Sequence, residues 1–381
     1  MDFSFTEEQT MLQESIERFV QSDYSFDDRQ KNAGSDLGYD ANNWNTFAEL
    51  GWLGVPFSEA DGGFGGGAVE STLMMEQFGH GLVIEPYLAT VVLAGGVIKH
   101  AGSEAQKAKL LPGIIDGSTQ AALAYAEPQA RFNLADVTTT ATPEGDGFVL
   151  NGYKAVVLNG PAAQLLIVSA RTSGDQRDSD GITLFAVDAK AAGISRRDYP
   201  TVDAFRASEI TLEGVKVDAD AVMGEVGKGY AALEQAIDEG ILAVGSEAVG
   251  CMEKLYKETV EYCRQREQFG QAIGKFQVLQ HRMVDMFMEV EQAKSMTTYA
   301  TLHLDKPAIE RMAAVSQCKA KVSRGAKFVG QNAIQTHGGI GITQELAIGH
   351  YFKRATMIES QFGSADYHYD RFERLVIDEA A

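Results

Sequence analysis

The stretch from Arg264 to His281 contains the residue types of an anion contact. Arginines lie at the end of one amphipathic pattern, and Phe269, Gly270 and Gly274 interrupt the helical period before Phe276 opens the next pattern. A cationic helix end suits the helix dipole, and beside an aromatic ring and several glutamines it can bind phosphate. The spacing therefore predicts either a nucleotide contact or an ordinary corner between two helices.

Several other kinds of chemistry are excluded by their missing motifs. The sequence has no Walker P-loop, no G-x-S-x-G elbow, no H-E-x-x-H and no Cys-x-x-Cys, so we expect no metal site. His337 lies inside the glycine-rich stretch Gln335–Glu345 and is expected to be structural. The loop Asp61–Ala68 matches G-x-G-x-x-A without a clear preceding strand, which favours a flexible connection over a dinucleotide site.

Composition limits the class of protein further. A chain of 381 residues with Lys+Arg 33 and Asp+Glu 53, net charge −20, is expected to avoid nucleic acid and anionic membranes. Three cysteines predict free thiols in a reducing compartment, and the N-terminus shows no signal or transit peptide, so a cytoplasmic location is expected. The apolar run Leu82–Ile98 is broken by Glu85 and Pro86 and predicts a core helix rather than a membrane span.

The first third of the chain is predicted to be helical. Thr6 and Gln9 have capping-box spacing, and apolar residues then recur with a helical period. Further helices are predicted from about Asn42 to Leu50 and from about Val69 to Gly79.

A β-rich middle part begins near Gln120. Its turns are predicted at Glu144–Gly147 and Asn151-Gly152, and Arg171–Gly181 is predicted to be a polar surface loop. The predicted strands are Ala121–Ala126, Val137–Thr142, Phe148–Leu150, Tyr153–Leu158, Leu165–Ala170, Ile182–Val187 and Glu209–Leu212.

The helical period returns at about Gly229. The predicted helices are Tyr230–Gln265, Gln277–Leu304, Pro307–Thr336 and a last group from Glu345. The predicted domains are therefore residues 1–119, 120–227 and 228–381.

Two motifs resemble those of the acyl-CoA dehydrogenase family. Arg266–Gln277 reads Arg-x-x-Phe-Gly-x-x-Ile-x-x-Phe-Gln, which resembles the family's flavin-contacting signature, and Gln335–Gly341 resembles its Gln-x-x-Gly-Gly-x-Gly. The resemblance covers nearly the whole chain. It implies an α+β fold with an N-terminal helical domain, a middle β-barrel or sandwich and a C-terminal four-helix bundle. It also implies FAD, an acyl-CoA substrate, β-oxidation of fatty or dicarboxylic acids, and an electron-transferring flavoprotein as acceptor.

In that family, each flavin site is built by two subunits. The neighbouring subunit holds the adenosine diphosphate end, and we call Arg266–Gln277 and Gln335–Glu345 the neighbour-side segments. By resemblance Arg266 would pair with the pyrophosphate, whereas alone it could be a surface ion pair. The other implied FAD contacts are Gln268, Phe269, Gln277, Gln335, Gly338 and Gly339.

The segments that would hold the isoalloxazine ring depart from the family pattern. We call Glu127–Asn133 and Lys154–Gly160 the ring-side segments. The family's Glu-Pro-Gly-Ala-Gly-Ser-Asp reads Glu-Pro-Gln-Ala-Arg-Phe-Asn here. Val156 replaces a ring-flanking tryptophan, and Leu158 replaces a threonine that would hydrogen-bond near flavin N5.

The family's catalytic base is also missing from its two usual places. Gly363 and Gly240 stand where family members carry the glutamate. Glu247 is the candidate base, with Glu239 as runner-up. Because Glu247 lies among small apolar residues, it could instead be a polar group in an acyl pocket or half of a buried pair.

The losses fall on one half of the flavin site. This favours the small subunit of a heteromeric α2β2 acyl-CoA dehydrogenase, and Glu85–Leu93 and Gly349–Arg354 resemble the pimeloyl-CoA dehydrogenase small-subunit type. One alternative is a homomeric enzyme, as a homotetramer, that uses Glu247. Another is a flavin-free, inactive homologue acting in assembly or acyl-CoA binding.

Overall fold

The computed structural model describes residues 4–380, with side chains to residue 377. The helices are α1 Glu7–Ser22, α2 Phe26–Ala33, α3 Ala41–Glu49, α4 Ala68–Gly81, α5 Gly95–Ala101, α6 Glu104–Ile115, α7 Tyr230–Gln265, α8 Gln277–His303, α9 Ala308–His337, α10 Ala347–Ser360 and α11 Ala365–Ala380. The strands are β1 Ala121–Ala124, β2 Thr140–Glu144, β3 Gly147–Leu158, β4 Leu165–Arg171, β5 Ile182–Asp188, β6 Ile194–Pro200, β7 Arg206–Val217, β8 Val222–Met223, β9 Glu267–Gln268 and β10 Gln271–Ala272. The helix–strand–helix order is that of the predicted α+β fold.

The chain forms two compact units. One comprises residues 1–30, 68–83 and 241–381, and the other comprises residues 31–67 and 84–240. We call them the helical unit and the mixed unit. The predicted domain boundaries at residues 120 and 228 stay a prediction.

The mixed unit is centred on one eight-stranded sheet. Its order is β6-β7-β3-β2-β4-β5-β8, with β1 pairing in parallel with β4. The alternating inward side chains of these strands form an apolar core that includes Leu150, Phe185 and Ile210. Strand β6 was missed by sequence reasoning because its residues Ser195 to Asp198 are polar and exposed, as suits an edge strand.

The predicted Asn151-Gly152 turn is wrong. Both residues lie inside the continuous strand β3, where the register with β7 shifts between Leu150 and Gly152. The Asn151 side chain accepts a hydrogen bond from the Gly214 amide at 2.7 Å. The Asn-Gly pair therefore makes a β-bulge instead of a hairpin turn, because β7 lies alongside and supplies the pairing.

Arg171 does not belong to the polar loop that was predicted to begin there. It ends β4 with its side chain buried, and its guanidinium donates to carbonyl oxygens of Ala135 at 2.8 Å, Asp180 at 2.9 Å and Gln176 at 3.0 Å. Residues 173–180 are exposed as predicted, whereas Gly181 at the end of the loop is buried. The Arg171 guanidinium bonds to the loop backbone.

The apolar run near residue 90 is buried within the mixed unit. It forms a π-helical segment Leu88–Ala94 that continues into α5. Within residues 4–380, no helix is both long and apolar enough to cross a membrane.

The helical unit brings α4 and α7 into very close contact. A Cβ on Gly79 would lie 2.0 Å from the Glu247 carbonyl oxygen, and one on Gly250 would lie 2.0 Å from that of Glu76. This crossing explains why small residues surround Glu247 in the sequence. In the same unit α9 packs against α8, α10 and α11.

Two local predictions are confirmed in this unit. The Thr6–Gln9 capping box is present. Cys251, Cys263 and Cys318 are buried and form no disulfide among the described residues.

Candidate functional site

A short exposed hairpin follows α7. Strands β9 and β10 are joined by Phe269 and Gly270, whose φ angles are 56° and 80°. Positive φ at both central residues is typical of a two-residue type I′ turn. The ring of Phe269 is 93% exposed. The loop predicted here is therefore an ordered projection, and the Arg266 side chain at its base is exposed and forms no ion pair within the described residues.

The second neighbour-side segment follows α9. After His337 the chain turns through Gly338, with φ 66°, into a 3-10 turn from Gly338 to Ile342. A Cβ built on Gly338 or Gly339 would meet no described atom of this chain within 4 Å. The backbone at these two glycines is therefore open to close approach by a ligand.

The helical unit brings the two neighbour-side segments together at the ends of α7 and α9. The ring of Tyr262 stacks on that of His337 with centroids 4.4 Å apart. Gln335 is exposed on the last turn of α9, and Gln277 is exposed at the start of α8. The Gln268 amide group donates to the neighbouring Glu267 carbonyl at 2.8 Å.

The ring-side segments are tied to each other by a buried ion pair that sequence reasoning missed. Lys154 Nζ lies 2.7 Å from Glu127 Oε1, and both side chains are almost fully buried. Backbone amides of Thr138 and Thr139 donate to the same carboxylate at 2.8 and 3.1 Å. Burial alone would raise the pKa of Glu127, but the Lys154 charge and these donors lower it to about 2. The sequence signal for this pair was that Glu127 and Lys154 are the first residues of the two ring-side family patterns.

Two other ring-side residues bond to side chains of the same unit. The Gln129 side chain donates to Glu127 Oε2 at 2.8 Å. Buried Asn159, with φ 57°, donates to Gln120 Oε1 at 3.0 Å. Val156 is 50% exposed where the family pattern has tryptophan. Gln129 and Asn159 are thus bonded within the unit, whereas Arg131 of the same segments is exposed.

Glu247 is one half of a buried ion pair. Its Oε1 accepts from Arg354 Nε at 2.5 Å and its Oε2 accepts from Arg354 Nη2 at 2.6 Å. The two side chains are 3% and 4% exposed. Of the three roles considered for Glu247, this geometry is that of the buried pair. Accepting a substrate proton would neutralise the carboxylate and leave the buried Arg354 charge without its counterion.

Glu239, the runner-up base, is partnered in the mixed unit. Its Oε1 lies 3.0 Å from Lys99 Nζ and 2.8 Å from His100 Nε2. Burial raises the pKa of this carboxyl, but the His100 hydrogen bond and the Lys99 charge outweigh burial, so that the pKa lies below its usual value. A carboxylate held ionised in this way is a poor general base near neutral pH.

Gly363 lies in a turn that has no room for a side chain. At φ 122°, a Cβ there would lie 2.4 Å from Tyr367 Cδ1 and 2.8 Å from His368 Nε2. Buried Lys319 donates to the Gly363 carbonyl at 2.7 Å and to the Glu359 carbonyl at 3.1 Å. Burial lowers the pKa of Lys319 to about 7. Of the two usual places of the base, the one at Gly363 is therefore closed by packing.

A cluster of titratable side chains in the helical unit was not predicted from the sequence. Ligand-type atoms of Glu76, His80 and Glu253 lie within 4.8 Å of one another in the helical unit. Glu253 is already bonded to His80 at 2.8 Å, to Lys257 at 3.2 Å and to Lys294. The His80 hydrogen bond, with the Lys294 contact, lowers the pKa of Glu253. Ammonium groups thus already neutralise this cluster.

The neighbour-side segments fit the adenosine diphosphate end of FAD. They offer one exposed guanidinium without an ion-pair partner among the described residues, and a glycine backbone that a Cβ would block. The ring-side segments fit the isoalloxazine less well, because Gln129 is turned onto Glu127 and Leu158 has no side-chain donor. Of the two pairs of segments, the neighbour-side pair is therefore the better fit to this cofactor.

Comparisons with known proteins match the whole length of the chain. Residues 6–118, 122–215 and 227–376 match the family models for the acyl-CoA dehydrogenase N-terminal, middle and C-terminal domains. The chain is 28% identical to the probable acyl-CoA dehydrogenase YngJ of Bacillus subtilis, over 99% of this chain and 98% of that protein. It is 30% identical to the caffeyl-CoA reductase-Etf complex subunit CarC of Acetobacterium woodii, over 80% of this chain and 82% of that protein.

Solved structures show the same fold. Butyryl-CoA dehydrogenase from Megasphaera elsdenii has a TM-score of 0.90 and 27% identity, covering 99% of this chain and 100% of that chain. A variant of the Tcur3481-Tcur3483 steroid ACAD has a TM-score of 0.89 and 30% identity, covering 98% and 99%. The FAD complex of PigA has a TM-score of 0.91 and 27% identity, covering 99% of each chain.

Proposed function

The chain belongs to the acyl-CoA dehydrogenase family, and from this premise we propose that it completes the FAD site of a neighbouring subunit in a heteromeric enzyme. The family's members are FAD-dependent oxidoreductases that act on the CH–CH bond of an acyl-CoA. Bound FAD supplies the acceptor for the hydride that leaves the acyl β-carbon.

One observation carries the proposal. The positions that would bind a neighbour's flavin are open, and the positions that would carry this chain's own catalytic base are closed. Arg266 and the Gly338-Gly339 backbone are exposed and open. Both candidate bases are held in ion pairs, and Gly363 cannot take a side chain without a clash. The residues that would contact a neighbour's FAD are therefore accessible, and the candidate bases of this chain are already paired.

The chain's own residues would act on the cofactor's adenosine diphosphate half. The Arg266 guanidinium would bind the pyrophosphate, with Gln268 and Phe269 on the same hairpin beside it. The backbone at Gly338 and Gly339 would approach the phosphate and ribose. Gln277 and Gln335 would contribute side-chain hydrogen bonds from the adjoining helix ends.

An exposed apolar face on α8 supports an assembly with a second subunit. Val284, Phe287 and Met288 are 55%, 43% and 46% exposed and follow i, i+3, i+4 spacing on one side of the helix. Such a stripe is what a partner helix buries. The similar steroid ACAD carries the double name Tcur3481-Tcur3483, which supports a heteromer, and we propose an α2β2 tetramer.

We propose an electron-transferring flavoprotein as the electron acceptor and a cytoplasmic location. CarC is named as a subunit of a reductase-Etf complex, which supports the acceptor. The acyl substrate is left open, although the small-subunit resemblance implies a dicarboxylyl-CoA. Comparing pimeloyl-CoA with butyryl-CoA in the same dehydrogenase assay tests that implication.

The deciding measurement is the visible absorbance and solution mass of the purified chain, expressed without other family members. We expect a colourless protein that gains flavin and dehydrogenase activity on co-expression with a family member encoded beside it. About one flavin per chain in a homotetramer would contradict the proposal and favour the homomeric enzyme that uses Glu247. No flavin with any co-expressed partner would favour the inactive assembly protein.

A further inference from the structure

The contact between Tyr262 and His337 joins the two neighbour-side segments at their roots. Tyr262 lies on the last turn but one of α7, and His337 is the last residue of α9. Their rings stack at 4.4 Å with an interplanar angle of 29°, and the Tyr262 hydroxyl donates to the His337 carbonyl at 3.4 Å. Stacked aromatic rings prefer defined geometry, so this contact limits how the two helix ends can turn.

The hairpin is fixed to the Tyr262 side of this contact. The Arg266 amide donates to the Tyr262 carbonyl at 2.8 Å, and the Ile273 amide donates to the Arg266 carbonyl at 2.8 Å. Where the hairpin returns, a Cβ on Gly274 would lie 2.9 Å from the Cys263 carbonyl oxygen. Both ends of the hairpin are therefore bonded to, or packed against, the last turns of α7.

The glycine turn is fixed to the His337 side. A Cβ on Gly341 would lie 3.0 Å from the His337 Cβ and 3.1 Å from the Ile334 carbonyl oxygen. The His337 ring is buried, and its Nδ1 lies 2.8 Å from the Ala333 carbonyl, so Nδ1 carries a proton. Burial lowers the pKa of His337, and a neutral ring can stack without a buried charge. His337 is thus held between the Tyr262 ring and the Gly341 backbone.

We propose that Tyr262 and His337 are positioning residues that set the distance between Arg266 and the Gly338-Gly339 backbone, and hence the grip on the FAD adenosine diphosphate. The inference rests on the proposed function, because it assumes that both segments contact the same dinucleotide. Both rings would act through the neighbour-side segments, which would contact FAD. Removing the Tyr262 ring would let the hairpin and the glycine turn move independently.

The test compares FAD with FMN, which has the isoalloxazine ring but lacks the adenosine half. Dissociation constants are measured by flavin fluorescence on the FAD-carrying assembly, either the co-expressed heteromer or the homo-oligomer. We expect Tyr262→Ala to weaken FAD binding about three- to tenfold, in line with the loss of one aromatic contact. FMN binding should stay within about twofold of wild type, because the ring-side half is untouched.

Three further variants separate the possible causes. Tyr262→Phe keeps the stack and should bind FAD as wild type does. Tyr299→Ala removes a tilted tyrosine–histidine ring pair, with His303 at 4.2 Å, about 30 Å along α8 from its first residue Gln277, and should also leave FAD binding unchanged. Arg266→Ala tests the proposed function itself and should weaken FAD, but not FMN, at least tenfold through the loss of a charge-assisted hydrogen bond.

Each of the other outcomes would contradict the positioning role, the proposed function or both. If Arg266→Ala weakens FAD binding and Tyr262→Ala does not, the positioning role is wrong and the proposed function stands. If Tyr262→Ala weakens FAD and FMN equally, or Tyr299→Ala has the same effect, the ring supports the fold and not the FAD contact. If Arg266→Ala leaves FAD binding unchanged, or wild type binds no FAD in any assembly, the proposed function and this inference both fall.

Discussion

Glu247 and Arg354 come from positions 107 residues apart and form a two-bond ion pair inside the helical unit. Such a pair is weak evidence for net stability, since desolvation of both charges offsets much of their attraction. Removing one partner is different, because the other charge is left buried without a counterion. The pair therefore allows the buried-partner and catalytic roles of Glu247 to be separated by experiment.

We expect Glu247→Gln to lower the free energy of unfolding by about 3–5 kcal/mol, because Arg354 keeps its charge in a buried site. Urea unfolding of the variant, of Arg354→Gln and of the double variant measures this. The double variant should lose less than the sum of the two single losses.

Glu261→Gln is the matched control on the same helix. Glu261 is exposed and lies 3.6 Å from Arg264, so its loss should change stability by less than about 0.5 kcal/mol. Unchanged stability of Glu247→Gln, combined with lost turnover in a chain that was active alone, would instead identify Glu247 as the base.

Gly363 leads to a second prediction at the residue scale. Gly363→Glu should not create an active base, because its Cβ would clash with Tyr367 and His368 and its φ of 122° is unfavourable for any side chain. We expect Gly363→Ala, which adds the Cβ alone, to lower stability by about 2–4 kcal/mol from overpacking and strain together. Gly145→Ala is the control: at φ 60° with open space around it, it should cost only about 1–2 kcal/mol of strain. Dehydrogenase activity of Gly363→Glu alone would refute the packing argument.

At the scale of elements, the Glu127–Lys154 pair joins the segment after β1 to strand β3. The folded-state pKa of Glu127, about 2, lies below its unfolded value near 4.5. The pair's contribution is therefore fully present above about pH 4.5 and is lost as the pH falls toward 2. Burial lowers the pKa of Lys154, and the Glu127 charge opposes that shift.

We expect Glu127→Gln to remove up to about 3 kcal/mol of stability at pH 7, and to reduce the loss of stability that wild type shows between pH 4.5 and pH 2.5. Chemical unfolding at a series of pH values measures the difference. The control is Glu144→Gln, which breaks an exposed pair with Lys216 at 3.0 Å and should leave the pH dependence nearly unchanged. Parallel curves for Glu127→Gln and wild type would contradict the assignment.

At the scale of the whole molecule, the proposed assembly predicts that a partner subunit covers the exposed face of α8. We expect Met288→Arg to shift the co-expressed assembly to smaller species in light scattering and to release FAD, because a charge would be buried against a partner. Circular dichroism of the single chain should not change.

Met11→Arg is the matched control for this prediction. Met11 is 64% exposed on α1, so the same substitution there should leave the mass and the flavin content of the assembly as in wild type. Retention of both by Met288→Arg would show that the partner binds elsewhere.

The local elements were largely predictable because their causes are local. The Thr6–Gln9 box, the helices from Tyr230 and Gln277 and the apolar strands of the sheet depend on contacts between residues two to four positions apart. The two neighbour-side motifs could also be located in the sequence, since each one is a single continuous stretch. Resemblance then gave the family, the fold and the cofactor.

Tertiary structure alone decided which side chains meet across the chain. No local pattern pairs Glu247 with Arg354, places Arg171 beneath its loop or turns Asn151-Gly152 into a bulge beside β7. The chemistry of a carboxylate depends on its nearest charge and its burial, and both are set by residues far away in sequence. The sequence could therefore name Glu247 as a candidate, but only the contact with Arg354 of α10 showed that its charge was already paired.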